Sequence, residues 1–134
     1  MTKLRLRGAA ALAITSFALV GAGAVSAGPA FAKSGDIVRR GACSAHSDWK
    51  LKLGPRDGVI ETEFEVDSQR VGQTWNVRIT DDGVTVLNRT ARTVAPSGSF
   101  SVGVRAPNRA GTDAFVATAS NPATGETCVG RASV

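Results

Sequence analysis

The chain has no tyrosine, one histidine, one methionine, two cysteines and two tryptophans. Each shortage removes a class of protein. One histidine and two cysteines cannot supply the four-ligand set of a structural zinc site from a single chain. Without tyrosine there can be no tyrosine corner of the kind found in antibody-like domains. With 134 residues the chain is too short for a TIM barrel or a dinucleotide-binding α/β fold, and it fits one domain. Beyond residue 32 there is no long apolar run and no helical period of apolar residues.

What is present begins with an address. Lys3, Arg5 and Arg7 precede an uncharged stretch from Ala9 to Val25. Gly28-Pro29 then breaks any helix, and Ala30-Phe31-Ala32 has small-x-small cleavage spacing. Val25-Ser26-Ala27 is an earlier match to the same spacing. Residues 1–32 therefore read as a secretory signal peptide cleaved after Ala32. The apolar stretch is shorter than the roughly 20 residues that a membrane-spanning helix needs. Loss of Lys3, Arg5 and Arg7 takes the formal charge from +5 to +2. So small a surplus gives no case for nucleic-acid binding. The expected product is secreted and free of the membrane.

Cys43 and Cys128 both lie in the exported part. An even cysteine number in an oxidising compartment predicts a disulfide. It would close a loop of about 85 residues, for which chain entropy gives on the order of 4–5 kcal/mol.

Residues 33–41 are polar and basic and read as a flexible arm, followed by a domain over 42–134. From Cys43 the apolar period is two. Trp49, Leu51 and Leu53 alternate with Lys50 and Lys52, and Gly54 to Gly58 reads as a turn. Ile60, Thr62, Phe64 and Val66 then share one face, and Glu61, Glu63 and Glu65 the other. As a hairpin, these two strands set lysines opposite glutamates, worth roughly 0.2–1 kcal/mol per pair. Trp75, Val77 and Ile79 point inward in the next strand, with Asn76 and Arg78 outward. Asp81-Asp82-Gly83 signals a tight hairpin returning through Val84 to Leu87. Three further strands follow, centred on Phe100 to Val104, Phe115 to Ala119 and Cys128 to Val134, with turns at 95–98, 106–113 and 121–125. About seven strands without a helix predict an all-β, antiparallel, immunoglobulin-like β-sandwich with one disulfide.

Four segments carry a resemblance: Ser47 to Leu53, Ile60 to Asp67, Ala95 to Phe100 and Asn121 to Cys128. Over about residues 42–134 the chain resembles a group of small secreted actinobacterial proteins with no assigned activity. The resemblance implies secretion and a β-sandwich, and no mechanism.

Several constellations invite chemistry. Ser44, His46 and Asp48 have the residue types of a triad. Strand neighbours two apart are roughly 6.5–7 Å apart, too far for its hydrogen bonds. His46 has no second histidine to complete a metal site, and no metal or cofactor is expected. Glu61, Glu63, Glu65 and Asp67 are spaced permissively for glycoside hydrolysis, yet read as a charged strand edge. Asp81-Asp82 lacks the spacing of an EF-hand loop and reads as a turn. Asn88-Arg89-Thr90 matches a glycosylation sequon, which the resemblance to bacterial proteins implies is a chance match. Trp49 and Trp75 fall on apolar phases and read as core rather than sugar platforms. Arg78 and Arg131 lie on outward phases, and with Arg89, Arg92 and Arg105 they form a candidate anion-binding patch. The expectation is a non-catalytic secreted module that contacts an extracellular protein or an anionic cell-wall polymer. The rivals are a small hydrolase using the acidic strand and a protease inhibitor presenting loop 54–58 or 106–113. The intact mass of the exported protein is expected to place its N-terminus at Lys33; a folded extracellular product retaining residues 1–32 contradicts this.

Overall fold

Strict alternation leaves each strand with one face that water disfavours, so the strands must form two sheets closing on each other. The computed structural model, which describes residues 35–134, has that architecture. The signal-peptide reading of 1–32 lies outside the described residues. Eight strands form: β1 (Ile37–Ala42), β2 (Asp48–Arg56), β3 (Val59–Asp67), β4 (Thr74–Asp81), β5 (Val84–Arg92), β6 (Ser99–Pro107), β7 (Ala114–Ser120) and β8 (Thr127–Ser133). Sheet A has the order β1-β2-β3-β6 and sheet B the order β5-β4-β7-β8. Every pairing is antiparallel.

The inner faces are the predicted ones. Leu51, Leu53, Ile60, Phe64 and Val66 of sheet A are fully buried against Trp75, Ile79, Ala117 and Ala119 of sheet B. Trp75 lies 6.2 Å from Phe100 and Trp49 lies 6.3 Å from Phe64, centroid to centroid, both in tilted contacts. Trp49 is half-buried against Gly41 of β1 and Gly130 of β8. A Cβ built on Gly41 would come within 2.7 Å of its indole, and one on Gly130 within 2.9 Å. Those two glycines are the space that the tryptophan occupies.

The turns follow their chemistry. Asp57-Gly58 and Asp82-Gly83 are both two-residue links with positive φ at each residue, which a tight hairpin requires. Gly98 combines a φ of 78° with a Cβ position only 2.3 Å from the Arg70 amide nitrogen, so no other residue fits there. The peptide between Ala95 and Pro96 in the same turn is cis.

Two parts of the sequence reading need correction. Residues 37–42 are not a loose arm. They form β1, an edge strand paired from Ile37–Leu53 to Ala42–Asp48, so the sandwich has eight strands. Arg39, Arg40 and the small Gly41 hide the alternation there. Gly54, Pro55 and Arg56 are strand residues rather than a turn. Pro55 lies beyond the last β1 pair, where β2 has a single neighbour, and a proline is tolerated on that open side.

The disulfide joins Cys43, just after β1, to Cys128 in β8. Cys43 is therefore in a loop rather than on the β2 phase. Because β1 and β8 are edge strands of different sheets, the bond closes one side of the sandwich.

Trp75→Ala is expected to cost about 3–5 kcal/mol in a urea melt, as for other large buried aromatics. His46→Ala, at an exposed loop position, should stay within about 0.5 kcal/mol.

Candidate functional site

The two outer faces differ in charge, and strand register explains how. On sheet A, β2 and β3 pair Lys50 with Glu65 and Lys52 with Glu63. The Lys50 ammonium lies 2.9 Å from the Glu65 carboxylate, and that of Lys52 lies 3.8 Å from Glu63. The carboxylate row therefore sits on the outer face of an interior strand, between β2 and β6, and not on a charged edge. Arg105 stands opposite Glu61 in the same sheet. Across β2, β3 and β6 cations and carboxylates thus stand opposite one another, while Arg40 of the edge strand β1 stands opposite Lys50.

Sheet B contains four arginines, Arg78, Arg89, Arg92 and Arg131, and one acidic residue, Asp81, which is fully buried. Its outward positions are otherwise hydroxyls, amides and small aliphatics: Asn76, Thr80, Thr85, Asn88, Thr90, Val116, Thr118, Ser120, Thr127 and Val129. Arg78 aligns with Thr118 and Val129, and Arg131 aligns with Val116 and Thr80. Their backbones are thus two strands and one side-chain row apart, about 12 Å by strand spacing and rise. The Arg78 guanidinium donates from Nε and one terminal nitrogen to Thr85 Oγ1, at 3.0 and 2.9 Å. That side chain is held flat along the sheet while its other donors face solvent. Arg92 shares the outward phase opposite Thr74; Arg89 is exposed at the β5 edge on the other phase. Arg105 belongs to the opposite sheet, so it cannot join the expected patch.

Ser44, His46 and Asp48 do not share a strand face. Ser44 and His46 lie in the loop between β1 and β2, where the Ser44 hydroxyl accepts from the Thr127 amide at 2.9 Å. Asp48 begins β2 directly opposite Asp67. The loop instead wraps a residue that sequence reasoning passed over. Glu126 is buried and accepts from the Ser47 hydroxyl, the His46 amide at 2.9 Å and the Ser47 amide at 3.3 Å. Burial alone would push this carboxyl up. The Ser47 hydroxyl, the two amides and the nearby His46 outweigh it and hold the group below its ordinary range. Ser44, His46, Ser47, Arg70 and Glu126 line a shallow polar cleft at this end of the sandwich. The only sequence hint of the arrangement is Glu126 lying two residues before a cysteine.

Of the two segments expected as presenting loops, 54–58 is strand through Arg56 followed by the Asp57-Gly58 turn, and 108–113 is a loop between β6 and β7. The chain matches no family model, no curated protein and no solved structure.

A carboxyl lowered by folding stabilises the fold above its unfolded value, and that contribution disappears as pH falls through the folded value. Glu126→Gln is therefore expected to cost about 1–3 kcal/mol at pH 7. Urea melts should show the gap from the native chain closing as the pH falls below the ordinary glutamate range.

Proposed function

We propose that the chain is a secreted, non-catalytic, immunoglobulin-like module that holds an anionic cell-envelope polymer against the outer face of sheet B. The observation that carries this reading is the charge partition between the sheets. Lys50, Lys52 and Arg105 of sheet A stand opposite glutamates, while Arg78 and Arg131 stand among hydroxyls and amides with no acid on their face. Unopposed guanidinium groups attract anions, and phosphate in particular suits their fork of donors. A polymer suits the face better than a folded protein does. The aromatics of sheet B, Trp75 and Phe115, are both buried, so the surface offers no large apolar anchor of the kind that dominates protein interfaces.

The strand order supports the immunoglobulin-like part. With β2, β3 and β6 taken as strands A, B and E, the remaining β5-β4-β7-β8 takes the order C′-C-F-G, and β1 is an addition. The buried Trp75 then lies on strand C, where antibody domains carry their core tryptophan. The disulfide and the signal-peptide pattern support export.

The test is binding to a glycerol-phosphate polymer and to a neutral glucan of similar length. The expected result is binding to the first alone, weakening as salt rises because the contacts are exposed and screened. Arg78→Glu with Arg131→Glu should reduce it by roughly tenfold or more. Arg105→Glu on the opposite sheet should leave it unchanged. Equal loss in both variants, or no binding by the native chain, overturns the reading.

A further inference from the structure

We propose that Asp81, Asp82 and Asp113 form a calcium-binding site at the end of the sandwich opposite the disulfide. Asp81 is the last residue of β4, Asp82 the first of the hairpin turn, and Asp113 the residue before β7. Asp81 and Asp113 are fully buried and Asp82 is exposed. One carboxylate oxygen from each lies within 4.8 Å of the others. Two ligands on opposite sides of a calcium ion are separated by up to about 5 Å, given ligand distances of 2.3–2.6 Å.

The second observation is what these oxygens lack. Both carboxylate oxygens of Asp81 and Oδ1 of Asp113 are buried without a hydrogen-bond partner among the described residues. Buried carboxylates are normally hydrogen-bonded or neutralised, because desolvating a charge is costly. Among the described residues the cation paired with Asp81 is Arg109, whose guanidinium lies 3.7 Å from Asp81 Oδ2, too long for a hydrogen bond, on a side chain 40% exposed. Three carboxylates therefore face one loosely placed guanidinium.

The other oxygens hold the arrangement in place. Asp113 Oδ2 accepts from the Arg109 amide at 3.1 Å, and Asp82 Oδ1 accepts from the Ala114 amide at 2.9 Å. The Asp82 amide donates back to the Ala114 carbonyl, and Asp113 and Val134 exchange two backbone hydrogen bonds. Asp82 and Asp113 thus each have one oxygen fixed by backbone and one available, while Asp81 has both. A set made only of carboxylate oxygens suits a hard cation rather than zinc, and calcium accepts irregular sites completed by water. Burial, Asp113 and Asp82 all push the Asp81 carboxyl up, with Arg109 opposing. The competing arrangement is therefore a proton shared between Asp81 and Asp113.

Thermal and urea melts of the purified chain at pH 7.5 decide between them, with about 10 mM calcium chloride against chelator and against magnesium at matched ionic strength. Calcium sites of extracellular modules bind at about 10⁻⁴–10⁻³ M. Calcium at that concentration should then favour the folded state by roughly 10- to 100-fold, and magnesium by less. Asp81→Asn should fold at least as well as the native chain in chelator, having lost a buried charge, and should show no calcium response. Asp82→Asn keeps the acceptor for Ala114 and makes an Asn-Gly turn of the favoured kind. It should fold normally and bind calcium several-fold more weakly. No calcium response in the native chain overturns the site, as does a response that survives in both variants. A shared proton would instead show as stability that rises from pH 7 to pH 5 in the native chain, is lost in Asp81→Asn and is indifferent to calcium. These readouts are independent of polymer binding by sheet B.

Discussion

The structure depends on one constraint: the inner faces of β3 and β4 must be kept from water together. Ile60, Phe64 and Val66 on one strand and Trp75, Val77 and Ile79 on the other are all buried, and each strand is interior to its sheet. At about 25 cal/mol per Å² of apolar surface, this shared burial is the main favourable term available to a domain with so few aromatics. The other strands extend the two faces, and the seams are closed where β8 packs on β1 and β2 and where β6 packs on β5. On the first seam the disulfide and the Trp49 slot lie together, so a covalent bond and a close-packed ring secure the same edge.

Because the fold is held from inside, its outer faces are free to differ. Sheet A spends its outward charges on neighbouring strands, as in the Lys50–Glu65 pair. Exposed pairs of this kind add little stability, at most about 1 kcal/mol each. They do cancel the field, which leaves that face electrostatically quiet. The one carboxylate in the strands of sheet B, Asp81, is buried and cannot do the same, so the outward arginines remain available to a partner.

The two ends of the sandwich also treat buried carboxylates in opposite ways. Glu126, at the disulfide end, is wrapped by donors from the 43–47 loop and held ionised. Asp81, at the far end, is also buried but faces two further carboxylates and a distant guanidinium. The first arrangement locks a loop beside the disulfide. The second leaves an electrostatic demand that a cation or a proton can meet.

The sequence by itself determined seven of the eight strands, their inward faces, the Asp82-Gly83 turn, the opposition of Lys50 and Lys52 to the β3 glutamates, and the disulfide partners. All of these depend on neighbours in the chain or on there being only two cysteines. Local pattern missed β1, because an edge strand with Arg39, Arg40 and a glycine beneath a tryptophan lacks clean alternation. It identified Arg78 and Arg131 as outward but grouped Arg105 with them, since period-two phase says which side of a sheet a residue faces and not which sheet it belongs to. Only the tertiary structure decided that separation. It also decided the meeting of Ser47 with Glu126 across 79 residues and of Asp82 with the chain beside Asp113 across 32. Such contacts come from the closing of two sheets, and the order in which strands cross between sheets is not written in the spacing of any one strand.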